Sequence, residues 1–156
     1  MVNRKKNLSH FFSEQEKERV VSAIRRVESK TSGEIRVALN EEAWGDGMAY
    51  AQKVFKKLGM AKTKHRNGIL FFLAVKDRFF AILGDKGIHE KLGNEFWKGA
   101  AAGVQPFFVR EEFGAGLEWA IQTIGESLAR YFPRQKDDTN ELTNRVLQSW
   151  PGDADK

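Results

Sequence analysis

Three short stretches hold most of the residues able to do chemistry. They are Glu34 at the head of an alternating run, the linker Lys64-His65-Arg66-Asn67-Gly68, and Gly84-Asp85-Lys86-Gly87 with His89 and Glu90 behind it. Glu34, Asn67, Asp85 and Glu90 offer the oxygen ligands that Ca²⁺ or Mg²⁺ takes. Lys64, His65, Arg66 and Lys86, with loop amides at a helix start, suit a phosphate-like anion instead. A metal bridging both sets is what phosphomonoester hydrolysis requires. The competing structural reading has Glu34 paired with a neighbouring Lys or Arg, Asp85 fixing a tight turn, and a solvated linker. Residue spacing leaves both open.

Other chemistries are narrower. The 156 residues include no cysteine, which removes thiol nucleophiles, disulfides, zinc ribbons and iron–sulfur clusters together. Histidine occurs at His10, His65 and His89, and there is no HExxH, GxSxG or P-loop. Without a recognisable nucleophile, the favoured reading is a non-enzymatic accessory module. It would bind a divalent cation or a protein partner through the edge formed by Glu34, Asn67 and Asp85; a weak metal-dependent phosphatase is the alternative. Leu83–Ile88 contains a G-x-x-G, the loop with which KH domains clamp nucleic-acid backbone. Here it follows a strand pattern rather than joining two helices, which argues against nucleic acid. The formal charge of +5, from 26 Lys+Arg against 21 Asp+Glu, is spread in small clusters such as Arg4-Lys5-Lys6. A solvated surface accounts for it.

The elements that must position these residues follow from periodicity. Ser13-Glu14-Gln15-Glu16 is a capping box, and Val20, Ile24 and Val27 continue it as a helix over about 13–30. Ile35, Val37 and Leu39 alternate in a strand with one strongly apolar face, Glu34 and Arg36 lying on the other. Asp46 caps a helix near 47–58 that ends at Gly59. Ile69–Val75 is an apolar run bounded by turn residues, hence a central strand, and Phe79–Leu83 returns as a hairpin arm. A further helical pattern begins beyond Gly87 and is broken or restarted at Pro106. Leu117, Ile121, Ile124, Leu128 and Phe132 mark the last helix, closed by Pro133.

The order α-β-α-β-β-α-α predicts an α/β fold: a three-layer α/β/α sandwich with a small mixed sheet of three or four strands. Strands one and two then start at the end where strand three finishes. Glu34, the 64–68 linker and the 84–87 loop should therefore converge, with Asp46 and Asp77 at the opposite end. Residues 1–10 read as a flexible basic N-terminus, 11–133 as the domain, and 134–156 as a polar tail with at most a marginal helical turn. No apolar stretch reaches the roughly 20 residues of a membrane span, and no secretory h-region follows the basic start. The expectation is a soluble, cytoplasmic protein.

Thr31-Ser32-Gly33-Glu34-Ile35-Arg36-Val37, Arg66–Val75, and Asp77-Arg78 leading to Leu83-Gly84 and Gly87 together resemble the TPM domain. Phe107-Phe108 and Glu112–Leu117 resemble its late helix entry. The family is named for thylakoid-lumen, photosystem-repair and acetylcholine-receptor-modulator members, and the likeness covers roughly 11–132. It implies an α/β/α sandwich, divalent-cation binding at the sheet edge, acid-phosphatase activity in some members, and a partner that is a membrane-associated protein in others. Glu34 and Asn67 match the family pattern. Arg66 stands where the family commonly has Asp, and the stretch 84–90 is one residue longer than the usual Gly-Tyr-Gly-Leu-Glu.

Overall fold

The computed structural model describes residues 11–134 and the short strand 146–148. The capping box forms as the sequence predicts: Ser13 Oγ accepts the Glu16 amide at 3.1 Å, and Glu16 Oε1 accepts the Ser13 amide at 3.0 Å. It opens helix α1 (Glu14–Glu28), which buries Val20, Ile24 and Val27. Strand β1 (Glu34–Asn40) leads to helix α2 (Gly47–Lys57), capped by Asp46, whose side chain accepts the Met48 amide. Gly59, at φ 76°, ends that segment in the left-handed conformation glycine adopts at little cost. A single 3₁₀ turn (Met60–Lys62) then leads through the linker to β2 (Gly68–Ala74), β3 (Phe79–Gly84) and helix α3 (Lys86–Val109). Helix α4 (Phe113–Tyr131) and β4 (Val146–Gln148) follow.

The sheet order is β3-β2-β1-β4. β1 runs parallel to β2 with Glu34 opposite Gly68, and β2 runs antiparallel to β3 with Ile69 opposite Gly84. Side chains alternate between two apolar clusters. Ile35, Val37, Leu39, Ile69 and Phe71 pack on α1, α3 and α4, whereas Ala38, Leu70 and Phe72 pack on α2. This is the three-layer α/β sandwich with a small mixed sheet that the element order predicts. Among the described residues no helix is long and apolar enough to cross a membrane.

Four local expectations are corrected. β1 is buried on both faces, not one, because it is an interior strand with helices on either side. Arg36 is consequently enclosed, and its Nη1 donates to the Leu58 carbonyl at 3.0 Å, where the end of α2 leaves acceptors unused. Helix α1 ends at Glu28 with Ser29 as its cap, two residues before the predicted end, and Gly33 lies against Leu128, 3.1 Å from where a Cβ would sit. The kink in α3 falls at Gly93 (φ 75°, ψ 174°), while Pro106 is carried inside the final turn. Glycine reaches that backbone conformation freely, and Pro106 sits too near the helix end to disrupt much of the ladder. Finally, Val146–Gln148 is a strand parallel to Val37–Leu39, not a helical turn. β2 pairs with one side of β1, and the ladder edge on its other side is what those three residues fill.

Candidate functional site

The predicted convergence is present, and backbone bonds hold it. The Glu34 amide donates to the Asn67 carbonyl at 3.3 Å, the Asp85 amide to the Gly68 carbonyl at 3.0 Å, and the Gly87 amide to the Arg66 carbonyl at 3.0 Å. The linker therefore lies between the start of β1 and the start of α3. Its own shape is set by Thr63, whose Oγ1 accepts the Asn67 amide at 3.1 Å while its carbonyl accepts the Arg66 amide at 3.2 Å. Arg66 takes the left-handed conformation at φ 51°. Gly87 is required at the helix start, because a Cβ would stand 2.5 Å from the His65 carbonyl oxygen. Asp46 and Asp77 lie at the other end of the sheet, where Asp77 Oδ2 accepts the Ala43 amide at 2.7 Å.

At the centre of the cluster is an ion pair that spacing did not resolve. Arg66 grips Asp85 with two parallel bonds, Nε to Oδ2 at 2.6 Å and Nη2 to Oδ1 at 2.8 Å. Oδ1 also accepts the Lys86 amide at 2.8 Å, so Asp85 caps α3. The carboxylate is 6% exposed and the arginine side chain 40% exposed. The hydrogen bonds it donates to Asp85 push the Arg66 guanidinium above its ordinary value; desolvation opposes them and the Asp85 charge adds to them. Arg66 is thus cationic wherever the protein is folded.

The other candidates are placed as follows. Glu34 is buried as the first residue of β1. Asn67 is buried, and its Nδ2 donates to Ser32 Oγ at 3.2 Å. Glu90 is exposed on α3, outside the bonded centre of the cluster. Lys64, His65 and Lys86 are exposed around it. Thr63 and Ser32 were not singled out from the sequence. The signal for Thr63 was its position four residues before Asn67, the spacing of a side-chain-to-backbone turn.

The fit to a resident cation is poor in this geometry. Asp85, the acid best placed to ligate, is filled by three donors, and Arg66 supplies the positive charge beside it. Among the described residues no three His, Cys, Asp or Glu side chains are gathered as a metal site needs. Asp85 also occupies the N-terminus of α3, where an external phosphate would otherwise be drawn.

With the fold and this edge in view, the family model of the TPM domain matches residues 6–127. The chain belongs to the TPM domain family. The solution structure of BA42 from the psychrophilic bacterium Bizionia argentinensis is 40% identical, with a TM-score of 0.83 over 89% of this chain and 96% of that one. The N-terminal domain of the cg2496 protein from Corynebacterium glutamicum shares the fold at 15% identity and a TM-score of 0.60, over 89% of this chain and 82% of that one. No curated protein matches this TPM domain.

Proposed function

We propose that this TPM domain is a non-enzymatic accessory module that engages a protein partner, rather than a phosphatase. The observation that carries the reading is the Asp85 carboxylate, whose two oxygens are committed to Arg66 and to the Lys86 amide. A group so engaged is a structural clasp, holding the linker to α3, and is not poised to accept a proton or present a nucleophile. The test is turnover of p-nitrophenyl phosphate by purified protein with Mg²⁺ or Ca²⁺. The expected result is no activity above a protein-free control. Hydrolysis that disappears in Asp85→Ala and Glu34→Ala would overturn the module in favour of the enzyme.

A second reading keeps the divalent cation, favoured by the half-exposed position of Arg66. A cation would compete with the guanidinium for Asp85 and release it, linking occupancy to the seating of the linker. Ca²⁺ titration followed by the amides of 33–35, 66–68 and 84–90 decides this. Movement confined to those amides supports competition, and stillness at millimolar cation removes it.

A further inference from the structure

β3 is an outer strand, with β2 along one side and no further strand along the other among the described residues. Its outward groups follow from one bond. The Asp85 amide donates to Gly68, so every second pair before it, Leu83–Leu70, Ala81–Phe72 and Phe79–Ala74, carries the ladder bonds. The amides and carbonyls of Phe80, Ile82 and Gly84 therefore point away from β2. Among the described residues no backbone partner meets them. The strand reads Phe-Phe-Ala-Ile-Leu-Gly, with no Lys, no Pro and an unbroken register to β2. Lysine, proline and bulges are devices that keep an open edge from pairing, and β3 carries none of these three.

A groove of about 410 Å³ runs beside Ile82, Leu83 and Gly84, walled by Met48 and Phe55 from α2 and Trp97 from α3. Trp97 lies over Gly84, where a Cβ would meet its ring at 2.6 Å. Its indole Nε1–H is buried and has no acceptor among the described residues. Such a donor is costly to leave unpaired.

We infer that β3 takes up an extended acidic segment of a partner protein as an added strand, through the outward groups of Phe80, Ile82 and Gly84 and the groove beside them. Alternate apolar side chains of that segment face Phe55 and Trp97. Charge selects a partner over a second copy. Lys98 lines the groove, and among the described residues no carboxylate lines it. Lys98 meets Glu95 at 3.8 Å in an exposed pair, which holds it weakly. A second copy would bring Lys98 against a like charge, on a chain of formal charge +5.

This rests on the interaction-module reading, and the two fail separately: phosphatase turnover sinks that reading, silent β3 amides sink this one. The experiment titrates ¹⁵N-labelled protein at low salt with the blocked peptide acetyl-Glu-Val-Asp-Ile-Glu-Val-Asp-amide. The amides of 80, 82 and 84 and the Trp97 indole proton should shift and gain protection from hydrogen exchange. Replacing the peptide acids by Lys, or introducing Lys98→Glu into the protein, should weaken binding about tenfold. A central proline in the peptide should abolish it, because a ladder donor is lost. Silence of amides 79–84 overturns the inference, as does protection of 80, 82 and 84 in the free monomer. Concentration-dependent dimerisation that protects the same amides overturns it in favour of a second copy.

Discussion

Gly87→Ala should destabilise the protein although it places a better helix former inside a helix. Propensity alone favours Ala over Gly by about 1 kcal/mol. The Gly87 Cβ, however, would stand 2.5 Å from the His65 oxygen and 2.6 Å from the Arg66 oxygen, both backbone atoms. Relief requires the linker to move off α3 and stretches the Gly87–Arg66 hydrogen bond of 3.0 Å. Overpacking costs about 1–3 kcal/mol, and a weakened hydrogen bond about 1 kcal/mol more. Set against the propensity gain, the net loss is about 2 kcal/mol at mid-range, or about 4–8 °C in Tm for a chain of this size. Gly99→Ala in the same helix is the control. No atom lies within 4 Å of its Cβ, so it should stabilise by about 0.5–1 kcal/mol. Thermal and urea unfolding followed by circular dichroism read both. If Gly87→Ala melts as high as Gly99→Ala, the linker is not seated on α3 and the clasp argument fails with it.

Two further substitutions probe the frame. Asp85→Ala removes the cap of α3 and the two bonds from Arg66 and should cost about 2–3 kcal/mol, of which the cap supplies about 1 kcal/mol, while Asp85→Asn keeps an acceptor for the Lys86 amide and should cost less. Melting curves of the pair check the order, and faster exchange of the 86–89 amides in Asp85→Ala locates the effect. Gly125→Ala should cost about 1–3 kcal/mol, because its Cβ would fall within 2.7 Å of Val27 Cγ1 and nearer still to Cγ2, forcing α1 from α4. Urea unfolding at unchanged m checks that packing, not compactness, has altered.

Local rules account for much of what was legible. The capping box at Ser13, the Asp46 cap and the apolar periods of α1 and α4 are decided by neighbours within one or two turns, so the sequence alone determined them. The run Ile69–Val75, short and bounded by turn residues, reads as an interior strand, and the α-β-α-β-β order then determines which loops meet. Connectivity alone therefore places Glu34, Arg66 and Asp85 at one end of the sheet. What those residues do there depended on tertiary structure. Whether Asp85 faces a ligand or its own Arg66 turns on a left-handed linker residue and on Gly87 admitting the linker to within hydrogen-bond reach. The burial of Arg36 required α2 to close over the second face of β1, and the open edge at β3 required knowing which strand is outermost. Capping and periodicity act over a few residues and are written in the chain, whereas the partner of a charge is chosen by segments that are distant in sequence and adjacent in space.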